Sequence, residues 1–303
     1  MVKLLDQVAQ ARFPVEVEDE TGRYRFRGAG DDAARLAACP VRFVADEAVA
    51  TYCLALLDTD RGMLSPKNEF LRVPSATFWL EWTTKAVAGA AWGGRTGLLV
   101  DAKDTGRAGT VATYWEQQDN EPVAAQMVIS FDLDDRRLYL QATDDTYALQ
   151  PGSHPLWPHL LFRFRPDWRD YFDRQGQAAL LEAAAGIAAG ILPGLEMLLT
   201  FSALLAERTC LSQREVDCSR LNHQRRRNGR LELLDHVEVR LDLAPHPAGG
   251  RIVALGERQA ARLHCVRGHM VHRAGHTFWR RSHLRGDPSQ PARPRNVSVT
   301  QGG

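Results

Sequence analysis

At 303 residues, 44% hydrophobic and 25% charged, the chain has ordinary globular composition, which excludes an intrinsically disordered protein and leaves room for one large or two modest domains. Its net charge of +1 conceals a polarity: from Ala206 onward 18 Lys and Arg stand against 9 Asp and Glu, and before it 20 stand against 28. Five cysteines at irregular spacing, Cys39, Cys53, Cys210, Cys218 and Cys265, argue against a disulfide framework, and the start MVKLLDQVAQARFPVEVEDE lacks an apolar segment of signal-peptide length, so a cytoplasmic chain with reduced thiols is expected.

The first clear element is a helix over Asp46–Leu57, acidic at its start and apolar at helical spacing. Apolar, β-rich runs bounded by Gly, Asp and Asn then recur at Ala76–Trp82, Thr96–Asp101, Thr110–Glu116, Ala125–Asp132 and Arg137–Ala142, which predicts an antiparallel meander with the helix packed on it. Four prolines among aromatics in Gln150–Tyr171 place a boundary or a long ordered loop there. An alanine-rich helix over Gln177–Ala189, a break at Gly190–Gly194, which holds a proline, and a second helix through Leu195–Glu207 follow. The 13 uncharged residues between Glu182 and Glu196 fall short of the roughly 20 that span a bilayer, so no stable membrane insertion is expected. From Leu211 a polar helix is predicted, with Ser212 as cap, Glu215 completing a capping box and Gly229 as the stop. Strands over His236–Leu243, Arg262–Arg273 and Thr277–Arg285 come next, the last two forming a hairpin across Ala274–Gly275, and the tail from Asp287 reads as frayed.

The predicted fold class is therefore α+β: an N-terminal, mostly antiparallel sheet with helices, a central helical pair, and a C-terminal helix plus a three-stranded antiparallel sheet. The predicted domains are an acidic α+β domain over residues 1–175, a helical connector over 176–207 and a basic Arg/His-rich region over 208–303.

Two elements gather the positive charge. The helix end SRLNHQRRRNGR carries Arg220, His223, Arg225, Arg226, Arg227 and Arg230, a pattern that suits phosphate contact as well as a solvated helix terminus favoured by the dipole. The hairpin RLHCVRGHMVHRAGHTFWRRSHLRG carries Arg262, Arg267, Arg273, Arg281 and Arg285 with Trp279, where guanidinium forks can hold phosphate and an indole can stack on a base. Solvated strands that resist edge pairing have the same composition. Gly268 inside the strand marks a bulge or a close ligand approach. His264 and His269 with Arg267 are the catalytic candidates, as a metal-independent nuclease set.

Cys210, Cys218, His223 and Cys265 hold zinc-binding atoms, but Cys-x7-Cys and His-x4-His match no zinc-knuckle spacing, so no metal and no cofactor is expected. In PSATFWLEW, Phe78, Leu80 and Trp82 fall on one face, with Trp79 and Glu81 on the other, where Glu81 can recognise a cation or a base or pair with an arginine across the sheet. Asp132, Asp134, Asp135, Asp144 and Asp145 read as turn residues more readily than as metal carboxylates. Nucleotide-binding loops and a serine-nucleophile motif are absent.

Trp79–Glu81, LNHQRRRNGRLELLDHVEV, RLHCVRGHMVHR and FWRRSHLRG together resemble an uncharacterised family of proteobacterial and prophage proteins with a Trp-x-Glu strand and a closing Arg-Gly-His hairpin. The resemblance implies association with mobile elements and carries no activity; it points to Trp79, Glu81, Asn222, His264, Arg267, Gly268, His269, Trp279 and Arg285. The expected function is binding of DNA or RNA in a phage-like or mobile system through the basic C-terminal region. The alternatives are a protein-protein assembly or regulatory factor and, third, the nuclease.

Overall fold

The computed structural model describes residues 3–10, 15–19, 22–26, 30–59, 64–69, 71–74, 76–84, 94–116, 122–206, 211–241, 264–266, 269–273, 276–280 and 283–285, with the backbone alone for the segments within 15–26 and 264–285. The chain divides into two units, Met1–Leu241 and Asp242–Gly303.

In the first unit the elements run α1 (Leu4–Ala9), β1 (Val15–Asp19), β2 (Gly22–Phe26), α2 (Gly30–Ala38), β3 (Val41–Ala45), α3 (Glu47–Thr59), β4 (Ala76–Thr84), β5 (Gly94–Ala102), β6 (Ala108–Glu116), β7 (Pro122–Asp132), β8 (Thr146–Tyr147), β9 (Leu160–Phe164), α4 (Pro166–Gln175), α5 (Gln177–Ala206), β10 (Leu211–Val216), α6 (Ser219–Arg227) and β11 (His236–Leu241). Among the described residues one nine-stranded mixed sheet organises the unit, in the order β10-β11-β3-β4-β5-β6-β7-β9-β8, so the α+β class holds. The meander is present: β4 to β7 are antiparallel neighbours in chain order. Asp46 caps α3, its Oδ1 accepting the Val49 amide at 2.9 Å. Because α3 carries the chain from β3 to its parallel neighbour β4, these three form a βαβ unit inside an otherwise largely antiparallel sheet.

Helices cover both faces, which explains why β4 and β5 are buried through consecutive residues rather than alternate ones. On one face Phe43 meets both Phe78, with ring centroids 6.1 Å apart, and Phe201 of α5, at 5.7 Å. On the other, Leu4, Leu5 and Val8 of α1 and Leu36 of α2 pack with Trp79, Leu99, Ala112 and Tyr114. The Trp79 indole lies where a Cβ on Gly97 would come within 2.2 Å of it, so glycine at that position makes the room.

Several sequence expectations are corrected. Arg137–Ala142 is not a strand; Leu138–Gln141 forms a 3-10 turn. The proline-rich stretch Gln150–Tyr171 contains β9, which pairs with β7 inside the main sheet, followed by α4 with Pro166 at its first turn. The two helices expected over Gln177–Glu207 are one 30-residue helix, α5, with Pro193 inside it. The crossing of the sheet accounts for this: between β9 and β10 lie seven strand steps of about 4.8 Å, about 34 Å, which a continuous helix of about 45 Å traverses and a 13-residue piece does not. Ile191, Gly194, Leu195 and Leu198 are buried on either side of the exposed proline, so packing offsets the lost hydrogen bond. By length and composition α5 is apolar enough to cross a membrane, at a hydropathy of 1.7, with 61% of that window buried inside the fold.

Leu211–Val216 is also not helical. It is edge strand β10, antiparallel to β11, and the predicted Ser212–Glu215 capping box does not form. β11 is no part of a C-terminal sheet, because it runs parallel to β3 in the main one. In the second unit, β12 (His264–Val266) pairs with β15 (His283–Arg285), and β13 (His269–Arg273) with β14 (His276–Arg280), so the closing hairpin is present as two successive two-stranded ladders.

Candidate nucleic-acid interface

The basic helix α6 sits in the connection between the edge strand β10 and its antiparallel neighbour β11. Its start is set by Asp217, whose Oδ1 accepts the Ser219 amide at 2.7 Å and whose Oδ2 accepts the Ser219 hydroxyl at 3.0 Å. The Ser219 amide holds the Asp217 carboxyl below its ordinary range. The end follows the expected glycine stop: Gly229 has φ +63°, its amide donates to Arg226 O, and the Arg230 amide donates to Arg225 O at 2.8 Å.

Asn222 is the buried residue of α6. Its Nδ2 donates to Leu233 O at 2.8 Å and its Oδ1 accepts the Leu233 amide at 2.7 Å, so one side chain clamps the returning chain to the helix. The Cys218 amide donates to Asp235 Oδ1 at 2.7 Å, and Arg225 Nε donates to Leu231 O at 2.6 Å. Arg225 is thus half-buried and engaged with backbone, while Arg220, His223, Arg226, Arg227 and Arg230 are exposed. Arg226 lies 3.4 Å from Glu232, and Arg214 and Arg240 share Glu238 at 2.7 and 3.3 Å. For Arg220, Arg227 and Arg230 the described residues supply no acidic partner. Residues 219–230 contain five arginines and no acid, so this surface is a local concentration of positive charge.

For the hairpin candidates, Arg262, Arg267, Gly268 and Arg281 lie outside the described residues. The backbone register places His264 opposite Arg285 in one ladder, and His269 opposite Arg280 and Arg273 opposite His276 in the other. Trp279 stands opposite Met270. The two candidate histidines therefore occupy different ladders. Cys210 is also outside the described residues; Cys218 is buried beneath α6, where burial raises its thiol, with Asp235 and Asp6 adding to the effect. Among the described residues no group of three or more His, Cys, Asp and Glu is arranged to hold a metal ion.

Other ionisable groups with unusual surroundings are engaged internally. Glu81 is 2% exposed and accepts the Leu4 and Leu5 amides at 3.0 and 2.8 Å, together with the Trp79 indole N–H at 3.4 Å. This overturns one sequence reading of Glu81, an exposed recognition residue beside Trp79, because both side chains are buried; Arg95 of the neighbouring strand β5 acts on the Glu81 carboxyl electrostatically, against the larger effect of burial. Burial pushes its carboxyl up. Asp32 accepts the Tyr114 hydroxyl and Arg165 Nη1 at 2.8 Å. Burial by itself would raise Asp32, but Arg165, the Tyr114 hydroxyl and Arg35 together hold it below its ordinary range. Both ring nitrogens of His154 are used, Nε2 by Glu196 at 3.0 Å and Nδ1 by the Leu156 amide at 3.1 Å. Asp132 closes a turn by accepting the Asp134 and Asp135 amides, each at 3.1 Å, as expected of turn carboxylates. No protein-family model, curated protein or solved structure matches the chain.

Proposed function

We propose that this protein binds nucleic acid through the exposed arginines of α6, with the arginine-bearing hairpin as a second contact element. The observation that carries the reading is the division of labour within α6 and the turn that closes it. Asn222 and Arg225 hold the helix, and Arg220, Arg227 and Arg230 stand in solvent without an acidic partner among the described residues. Guanidinium groups in that state bind phosphate oxygens bidentately, and they select charge rather than base identity. Membership of a phage-like or mobile system rests on the resemblance alone.

The test is binding to labelled duplex and single-stranded oligonucleotides across a salt series. Affinity should fall linearly on a log–log plot, and combined Arg220→Ala, Arg227→Ala and Arg230→Ala should reduce the slope by about 2–3, since each phosphate contact contributes about 0.9 on a duplex and about 0.7 on a single strand. Unchanged affinity and slope in that variant would sink the α6 reading; Arg267→Ala with Arg285→Ala tests the hairpin in the same way. A protein partner is the second reading, favoured by Leu221 and Leu231, which are 47% and 60% exposed among the arginines. It predicts a co-purifying protein that nuclease treatment does not release.

A further inference from the structure

α6 has no apolar face to hold it. Asn222 is the residue it buries, and nine residues are too few for a polar helix to persist alone. Its position therefore depends on hydrogen bonds to the returning segment 231–235, and that segment is in turn held from outside. The Leu234 amide donates to Asp6 Oδ1 at 2.8 Å, and Gln10 Nε2 donates to Glu232 O at 2.9 Å. Both acceptor and donor come from α1 and its final turn, more than 220 residues away in sequence. At its other end α1 is fastened to the sheet: Leu4, Leu5 and Val8 are fully buried, and Glu81 accepts the two leading amides. An unbroken series of contacts runs from β4 through α1 and residues 232–234 to Asn222 and the arginines.

We infer that α1 is a strap that sets the arginine array of α6 for phosphate contact, with Asp6 and Gln10 as positioning residues. This rests on the nucleic-acid reading for its functional meaning. Binding several phosphates at once requires the guanidinium groups to keep a common geometry, because each side chain that must be ordered on binding costs free energy. Leu234 also packs on the core beneath α1, so removing the Asp6 bond loosens rather than releases the segment that Asn222 clamps; the array is then less ordered before binding, and fewer contacts form together.

The deciding experiment compares Asp6→Ala with the full-length parent in two readouts: the salt dependence of binding to the oligonucleotide that the parent prefers, and hydrogen exchange resolved to residues 219–234 and to strands β5 and β6. Loss of affinity of about tenfold with a shallower salt slope, and faster exchange confined to 219–234, is the expected result. Faster exchange with an unchanged slope overturns the inference, since α1 is then a stability element only; parental exchange and slope overturn it as well. If Asp6→Ala does not fold, Gln10→Ala removes one link without touching the core, and should give the same pattern at smaller amplitude. If the parent itself binds no nucleic acid, the functional reading fails separately, and the strap stands or falls on the exchange of 219–234.

Discussion

Glu81 accepts three N–H groups in a layer closed to water, and that environment defines what replacing it does. Glu81→Ala removes the acceptors of buried N–H groups, so a loss of at least about 1–3 kcal/mol, the cost of one unsatisfied buried donor, is expected. The sign with pH follows from its raised carboxyl: the stabilisation is fully present below the unfolded value and is lost as pH rises through the folded one. Urea midpoints of parent and variant should therefore lie furthest apart at low pH and converge as pH increases. His236 works in the opposite direction. Its Nδ1 lies 3.0 Å from the Leu234 carbonyl and so carries the hydrogen, while Nε2 is buried with no partner among the described residues. Burial lowers its folded value, and the unfolded chain takes up a proton first as pH falls through about 6.5. Stability drops on acidification from about pH 7, and His236→Gln should flatten that part of the profile in the same urea titrations. Neither environment was legible locally. Trp79 and Glu81 were placed on one strand face by alternation, but what covers that face is an N-terminal helix whose six residues had no periodic signal long enough to read.

At the level of elements, α5 contains a proline that costs a hydrogen bond and is tolerated because the flanking turns are pinned to the sheet. Pro193 is exposed and Gly194 beneath it is buried, where a Cβ would stand 3.3 Å from Leu98. Pro193→Ala restores the donor without entering the core, and should stabilise by about 1–3 kcal/mol, read as a rise in Tm of several degrees. Gly194→Ala, one residue on, meets Leu98 and should stabilise less or destabilise. Helix breakers were visible in the sequence and their consequence was not, because it is the distance across the sheet that calls for a continuous helix. β10 shows the same limit from the other side: Ser212 and Glu215 have capping-box spacing, yet pairing with β11 engages the backbone of Leu211–Val216 in a ladder. The stop at Gly229 was legible, since a positive φ after a basic helix needs only local chemistry.

For the whole molecule, strands from both sides of the proline-rich stretch belong to one sheet, and β11 is inserted beside β3 almost 200 residues earlier in the chain. A chain ending at Leu241 retains every strand of that sheet together with α6 and α1. It is expected to unfold in a single cooperative transition with the parent's far-ultraviolet signal per residue for the sheet, and to keep the α6 share of the salt-dependent binding. Loss of folding on that truncation would mean that residues beyond 241 complete the core. The charge polarity resolves into a particular surface in the same way. Of the arginines counted after Ala206, those of α6 divide into groups that hold the helix and groups that stand free, and that division is invisible in a sum.

By itself the sequence determined the α+β class, the four-strand meander, helix α3 with its acidic start, the closing hairpin and the glycine stop of the basic helix. Each of these rests on periodicity, capping or turn chemistry within a dozen residues. Tertiary structure decided the rest: that β9 and β11 enter the main sheet, that α5 runs unbroken, that Glu81 is buried beneath α1, and that Asp6 and Asn222 hold the arginines of α6. These depend on contacts between residues tens to hundreds of positions apart, whose free energies are settled by what is buried together and not by any local pattern.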